Sequence, residues 1–232
     1  DGVLRIEVDA AGARYPVVID PLWTRATRLV GSDSVDGDEL GQSVAISGDT
    51  ALVGAPEDDH GPSTSDRDRG SAYVFVRTTS GWTEQARLEG SDAGFIDHFG
   101  HSVALVGDTA LVGAPGDDEA ASNAGAAYVF VRSGGRWSEV AKLTPPATSE
   151  AEGARFGEAV ALASGSAGTA LIGASGWGNT GAAWVFVRGG SGWAEETTLT
   201  PSPEVDSSEF GRAVAVAGGV AVVGAPHDPD GG

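Results

Sequence analysis

The sequence predicts an all-β protein built from one repeated unit, and three observations support this prediction. An apolar residue followed by glycine recurs four times, with the glycines at positions 41, 100, 157 and 211. A Gly-Ala-Pro triplet, with Ser in place of Pro once, follows each copy. No segment combines a helical period with capping residues, whereas short β-branched and aromatic runs bounded by Gly recur in step with both motifs.

The length of the repeat predicts the architecture. Successive glycines of the first motif are separated by 59, 57 and 54 residues. Such a period is too long for leucine-rich or most helical repeats, and it suits a β-propeller blade of four antiparallel strands with one long loop. We therefore expect a series of such blades.

The first two strands of each blade are predicted from a tight turn. In the first repeat, the apolar runs from Ser43 to Ile46 and from Ala51 to Val53 are separated by Gly48-Asp49. Both turn residues tolerate the positive φ that a short hairpin needs. Equivalent turns occur in the second and fourth repeats, and the third carries three extra residues near Ser164.

The third and fourth strands are predicted from their apolar residues. The run from Tyr73 to Val76 and its two equivalents are wholly or almost wholly apolar, which predicts a strand covered on both faces. In the next strand a Trp precedes a Leu by six residues in each of the three complete repeats. A period of two places Trp82, Glu84, Ala86 and Leu88 on one face of that strand.

These markers predict three complete blades between two partial ones. Trp23 and Leu29 have the same spacing and predict the closing strand of a preceding blade, at 22–30. Residues 1–21 do not fit the repeat and alternate like a β-hairpin at the end of a preceding β domain. We expect 22–232 to be a truncated, open propeller fragment. The predicted blades are 40–89, 99–144 and 156–200, followed by a half blade at 210–226.

The charge and composition exclude several kinds of site and partner. Lys and Arg total 14 against 33 Asp and Glu, which gives a formal net charge of -19. Such a surface repels phosphate backbones and anionic lipid, and no apolar run approaches the roughly 20 residues of a membrane helix. We therefore expect neither nucleic-acid binding nor membrane insertion. The absence of Cys removes disulfides, thiolate nucleophiles and zinc-thiolate sites.

The two motifs together resemble the FG-GAP repeat, which is named for its Phe-Gly and Gly-Ala-Pro signatures. Four copies carry both signatures, with Leu40 in place of Phe once and Ser175 in place of Pro once. The resemblance covers 22–232 and is to the propellers of integrin α subunits and of bacterial surface proteins. It implies a secreted or cell-surface propeller. The signature residues themselves are expected to serve packing, because Gly permits close backbone approach and an aromatic ring fills the space between blades.

The resemblance also implies calcium binding in Asp-rich loops of some blades, and the loops after Gly-Ala-Pro hold the candidate ligands. Ca²⁺ takes about six to eight oxygen ligands, commonly from Asp at alternating positions. Neither loop has that spacing, so solvated acidic loops are the alternative interpretation. The third such loop, from Ser175 to Thr180, has no carboxylate. The candidates are Asp58, Asp59, Asp66, Asp68, Asp117 and Asp118.

Three further residues have side chains that could serve a binding or metal site. Trp177, between two glycines, is a candidate for stacking on a ligand, with packing over a blade edge as the alternative. His98 and His101 are three residues apart, which on a strand places them on opposite faces, so we expect no metal or catalytic role for them. The chain contains no Gly-x-Ser-x-Gly, His-Glu-x-x-His or P-loop motif.

The sequence therefore favours a non-enzymatic extracellular binding or adhesion module with a protein or glycan ligand. Two alternatives stay open. One is a structural spacer in a large surface protein, which needs no ligand. The other is a hydrolase whose site is assembled from loop carboxylates at the mouth of the propeller. A propeller scaffold hosts many activities, so the fold does not choose among these.

Overall fold

The computed structural model describes residues 28–59, 61, 67–164, 168–203 and 206–228 of the 232-residue chain. Every named element in these residues is a β-strand, and no described helix is present that could cross a membrane. The predicted hairpin at 1–21 and most of the predicted closing strand at 22–30 lie outside the described residues.

Three four-stranded antiparallel sheets and one two-stranded sheet follow one another along the chain. In each complete sheet the strands pair in chain order, so each sheet is a blade whose first strand is innermost and whose fourth strand is outermost. The strands are β1 (Val44–Ser47), β2 (Thr50–Ala55), β3 (Ser71–Thr78), β4 (Gly81–Leu88), β5 (Ser102–Val106), β6 (Thr109–Ala114), β7 (Ala126–Ser133), β8 (Arg136–Leu143), β9 (Ala159–Ala163), β10 (Thr169–Ala174), β11 (Ala182–Gly189), β12 (Gly192–Leu199), β13 (Ala213–Ala217) and β14 (Val220–Gly224).

The inner strands β1, β5, β9 and β13 lie side by side, and the arrangement is open. Apolar side chains are exposed on the first and last sheets, with Val44 at 70% and Val222 at 63%. The predicted fold class, an open arrangement of four-stranded antiparallel blades, is confirmed. In every complete blade the two hairpin connections, between the first and second and between the third and fourth strands, lie at one end, called here the hairpin end. The long loop between the second and third strands and the connection to the next blade lie at the opposite end, called here the linker end.

The core consists of layers between neighbouring blades. Each third strand is buried for most of its length, as predicted, because its alternate side chains enter the layers on either side. The blades are numbered in chain order: blade 1 is β1–β4, blade 2 is β5–β8 and blade 3 is β9–β12. Between blades 1 and 2, for example, Leu52 and Val74 of one blade pack with Val112 and Phe130 of the next. No blade thus has a core of its own.

Glycine makes the closest contact between blades. The Gly100 amide donates to the Gly113 carbonyl at 3.0 Å, which joins the Phe-Gly and Gly-Ala-Pro motifs within blade 2. Gly113 then faces the following blade so closely that a Cβ added to it would lie 2.0 Å from the Gly157 carbonyl oxygen. The Ser102 hydroxyl donates to that same oxygen at 2.7 Å. We call this arrangement the inter-blade glycine contact.

The inter-blade glycine contact occurs at all three junctions. A Cβ on Gly54 would lie 1.9 Å from the Gly100 oxygen, and one on Gly173 would lie 1.9 Å from the Gly211 oxygen. Ser43 supplies the hydroxyl at the first junction. At the third junction Ala159 occupies the serine position, so the backbone approach is kept without the hydroxyl.

The aromatic residue of the Phe-Gly motif packs edge-on against the third strand of its own blade. The Phe99 ring centroid lies 5.3 Å from that of Tyr128 and 5.9 Å from that of Phe130. Phe156 makes the equivalent edge-on contacts with Trp184 and Phe186 in blade 3. The motif therefore joins a buried ring to a glycine that accepts close backbone contact.

The prediction that Trp82, Glu84, Ala86 and Leu88 lie on one face of the fourth strand is wrong, because a β-bulge interrupts the strand. Val74 pairs with Ala86 and Phe75 with Glu84, so Gln85 has no partner on β3. The extra residue shifts the alternation, as bulges do. Ala86 packs in the layer toward blade 2, whereas Trp82 packs on the opposite layer, and Gln85 extends toward blade 2.

Replacing Gly113 by Ala should destabilise the protein by about 3 kcal/mol or more, because the new methyl group would overlap backbone atoms that cannot move independently. Gly190→Ala is the matched control, since nothing lies within 4 Å of an added Cβ there. Its effect should stay within about 0.5 kcal/mol. Urea unfolding measures both changes, and equal stability of the two variants would contradict the inter-blade glycine contact.

Candidate functional site

The linker end of blade 2 holds a compact polar cluster built from distant segments. The Tyr128 hydroxyl lies 2.8 Å from carboxylate oxygens of both Asp92 and Asp117. The Lys142 ammonium lies 2.7 Å from Asp92, 2.9 Å from Asp117 and 2.7 Å from Glu119. The cluster ties the connection from blade 1, which carries Asp92, to the third and fourth strands of blade 2.

Blade 1 carries a matching cluster with arginine as its cation. The Tyr73 hydroxyl lies 2.8 Å from Asp33 and 2.9 Å from Asp58. Arg87 pairs with Asp33, and its Nη2 lies 3.5 Å from Asp58. In both blades the carboxylate of the long loop, Asp58 or Asp117, is the most buried charged member of the cluster.

The contacts in these clusters shift the pKa values of their members. Burial alone would raise the pKa of Asp92, but hydrogen bonds with Lys142 and Tyr128 outweigh it and lower that pKa. Burial and the neighbouring carboxylates raise the pKa of Tyr128, and the carboxylates raise the pKa of Lys142 against the effect of burial. Because the pKa of folded Asp92 is lowered, its contribution to stability is full above its unfolded pKa and is lost as the pH falls through the folded one.

Blade 3 replaces the long-loop aspartate, the tyrosine and the lysine of the cluster together. Trp177 stands where Asp58 and Asp117 stand in the other blades, and Trp184 takes the tyrosine position. The two indole rings pack edge-on with centroids 4.9 Å apart. The lysine position holds Thr198. The candidate ligand residue Trp177 is thus partly buried against the core of blade 3.

The candidate calcium ligands are mostly engaged with other groups. Asp58 and Asp117 face Arg87 and Lys142, while Asp59 and Asp118 accept backbone amides of their own loops. Asp68 pairs with Arg67, and Asp66 lies outside the described residues. In the described part of the chain no group of three or more His, Asp or Glu is placed to hold a metal ion. The described carboxylates do not fit a ready Ca²⁺ site, and calcium binding by these loops stays a prediction.

A second set of polar residues surrounds the start of the inner strands at the linker end. Before each Phe-Gly or Leu-Gly pair, one residue has a left-handed backbone, and its carbonyl accepts the amide three residues on. This turn directs two side chains per repeat toward the inner strands. We call these eight residues the inner rim: Glu39 and Gln42, His98 and His101, Arg155 and Glu158, Glu209 and Arg212.

Six of the inner-rim residues line one open cavity of about 350 Å³, between the connections of blades 1, 2 and 3. Glu158 is the most connected of them. It accepts a hydrogen bond from the Ser175 hydroxyl and pairs with Arg212 of the next repeat at 2.6 Å. Burial lowers the pKa of His101, which favours its neutral form near pH 7.

The prediction that His98 and His101 lie on opposite faces of a strand is wrong. β5 begins only at Ser102, and the two histidines belong to the turn before it. His98 has a φ of 55°, and the His101 amide donates to the His98 carbonyl at 3.0 Å. Both side chains therefore line the same cavity.

Sequence reasoning missed the inner rim because it treated each motif as packing. The signal was available beside the motif: the residue after each motif glycine is Gln, His, Glu and Arg in turn, whereas the glycine never changes. A position that differs in every repeat on an unchanged backbone is not determined by packing.

Repeated four-stranded blades joined by glycine contacts define a β-propeller type of repeat protein. A family model described as the FG-GAP repeat matches four segments, 23–75, 82–130, 137–186 and 193–232. The chain belongs to the FG-GAP repeat family. FG-GAP repeats are typical of binding and adhesion modules, are generally non-enzymatic and are commonly found in extracellular or surface proteins.

Other comparisons add little to this assignment. No curated protein matches the chain. Among solved structures, the chain is similar to the crystal structure of the Saccharomyces cerevisiae Sqt1, with 9% sequence identity and a TM-score of 0.44. That likeness covers 73% of this chain and 37% of the other.

Replacing Lys142 by Met should cost about 3–5 kcal/mol of stability, because Asp117 would be left as a buried carboxylate without its cation. An unpaired buried carboxylate has a raised pKa, so the folded variant binds a proton more readily than the unfolded chain. The deficit relative to the parent protein should therefore shrink as the pH falls from 7 to 5. Lys142→Arg keeps the charge and serves as the control. If denaturant unfolding at pH 7 gives Lys142→Met the same stability as the parent protein, Lys142 is not the cation that compensates Asp117.

Proposed function

We propose that this chain is part of an extracellular, non-enzymatic binding module whose inner rim contacts a protein or glycan ligand. The observation that carries the proposal is the contrast between a repeated backbone and unrepeated side chains. The left-handed turn recurs at Glu39, His98, Arg155 and Glu209 with φ between 54° and 58°. The residue types on it differ in charge and shape.

Packing accounts for the repeated residues and leaves the inner rim unexplained. Gly, Ala and the apolar residue of each motif recur because close backbone approach and buried rings tolerate little change. Six of the eight inner-rim side chains face an open cavity, where packing sets few limits. Polar residues of varied type on a rigid scaffold are the usual composition of a recognition surface.

The charge of the inner rim favours a ligand with both polar and charged groups. The whole chain has 33 acidic against 14 basic residues, yet the inner rim combines three Glu with two Arg, two His and one Gln. Arginines and histidines there offset the acidic surface locally. A protein segment of mixed charge, or a glycan with its many hydroxyl groups, can pair with such a set of donors and acceptors.

The test is binding to a glycan array and to an array of immobilised extracellular peptides. We expect a hit that the double variant Arg155→Ala/His101→Ala weakens by at least about tenfold, since it removes a charged and a neutral donor from the cavity. Arg136→Ala, an exposed arginine at the hairpin end, is the matched control and should bind like the parent protein. Equal binding by the double variant would place the ligand elsewhere, and no hit on either array would favour a structural spacer.

A further inference from the structure

The junction between blades 1 and 2 is closed at its hairpin end by polar contacts. The bulge residue Gln85 accepts hydrogen bonds through Oε1 from Trp137 Nε1 at 2.9 Å and from Arg132 Nη1 at 3.3 Å. Arg132 also donates to Thr50 Oγ1 at 3.0 Å and to Asp108 at 2.7 Å. The Gln85 amide oxygen thus accepts hydrogen bonds from both the Trp137 indole and the Arg132 guanidinium, and the Asp108 carboxylate balances the charge of that guanidinium.

The junction between blades 2 and 3 keeps both donors and loses the two main acceptors. Arg188 and Trp193 pair across their strands as Arg132 and Trp137 do. At the position of Gln85, however, the bulge of β8 holds Val140. Gly168 replaces Asp108, since its carbonyl accepts the Arg188 amide as the Asp108 carbonyl accepts that of Arg132.

The consequence is a cavity with unsatisfied donors. Trp193 Nε1 is buried and has no hydrogen-bond partner among the described residues. Arg188 is exposed, and its guanidinium donates no hydrogen bond to another side chain or carbonyl of the described residues. Both residues line an open cavity of about 490 Å³ together with Thr109 and the apolar Leu162.

We propose that this cavity binds a small carboxylate attached to an apolar group, with the carboxylate accepting hydrogen bonds from Arg188 and from Trp193 Nε1. The bound carboxylate replaces, in one group, the amide oxygen of Gln85 and the negative charge of Asp108. Arg favours carboxylates because its parallel N–H groups match their two oxygens. The Trp193 ring and Leu162 provide apolar surface for the remainder of the ligand. The site is at the opposite end of the sheets from the inner rim and does not depend on the proposed function.

The experiment uses phenylacetate as the probe and phenylacetamide as its neutral counterpart. The six indole N–H signals of the chain are followed by ¹H–¹⁵N NMR, with that of Trp193 assigned from a Trp193→Phe variant. Phenylacetate should shift the Trp193 signal in a saturable manner and leave that of Trp137 unchanged, because Trp137 Nε1 is already bonded. Phenylacetamide should bind at least about tenfold more weakly, since a charge-assisted hydrogen bond is lost.

Two variants test the cavity, and one controls for general effects. Arg188→Gln removes the cation and should weaken phenylacetate by at least about tenfold. Val140→Gln supplies the amide oxygen that Gln85 provides at the neighbouring junction. It should also weaken phenylacetate binding, because the new side chain accepts the hydrogen bonds of Arg188 and Trp193 Nε1. Arg132→Gln alters the closed junction and should leave the affinity unchanged. Failure of phenylacetate to bind, or equal binding by Arg188→Gln, would overturn the proposal.

A second probe distinguishes a free acid from the C-terminus of a peptide. N-acetylglycylphenylalanine presents the same carboxylate and ring on a peptide, and its C-terminal amide is the neutral control. Tighter binding of the peptide acid than of phenylacetate identifies a peptide terminus as the natural source, and the reverse identifies a free organic acid. Binding of the peptide amide as tightly as the acid would contradict carboxylate recognition.

Discussion

The approach of one glycine to the carbonyl of the next blade is the contact on which the rest of the structure depends. Gly113 lies so close to the Gly157 carbonyl that no side chain fits between them, and the same is true of Gly54 and Gly173 at their junctions. This backbone contact sets the spacing of the inner strands. The apolar layers between blades then fill a space of nearly constant width, which accounts for the nearly identical second strands, TALVGA in two blades and TALIGA in the third. The inner-rim turns contain the glycines whose carbonyls are approached, Gly100, Gly157 and Gly211, and therefore inherit that regular spacing.

Buried polar groups are replaced as complete sets from one repeat to another. Tyr128, Asp117 and Lys142 occur together in blade 2, and blade 3 has Trp184, Trp177 and Thr198 at those positions. A partial exchange would leave a buried charge without its partner, which costs far more than either complete set. The hairpin end departs from this rule at one junction. There Val140 and Gly168 remove acceptors while Arg188 and Trp193 keep their donors. Donors retained without acceptors are the reason for assigning a ligand to that cavity.

The sequence predicted the strands well and the side-chain clusters poorly, for reasons that the residues make plain. Hairpins at Gly48 and Gly107 and the apolar third strands depend on short-range patterns that alternation and turn residues reveal. The bulge at Gln85 leaves no such pattern, because one extra residue in a strand is visible only in its pairing. The turn that unites His98 and His101 needs a non-glycine residue at positive φ, which no local rule marks. The cluster of Asp92 and Lys142 joins residues 50 apart in sequence. Comparison of equivalent positions across the repeats, which shows Asp, Tyr and Lys changing together, was the available signal for it.

The unfolding free energies of two reciprocal variants test most directly whether the inter-blade glycine contact organises the fold. Ser102→Ala removes the hydroxyl that donates to the Gly157 oxygen at 2.7 Å. Ala159→Ser supplies the same hydroxyl to the Gly211 oxygen, where it is lacking. We predict that the first variant loses about 1 kcal/mol and that the second gains about 0.5–1 kcal/mol, the usual net contribution of one hydrogen bond. Parental stability of Ser102→Ala, together with no gain in Ala159→Ser, would contradict the account.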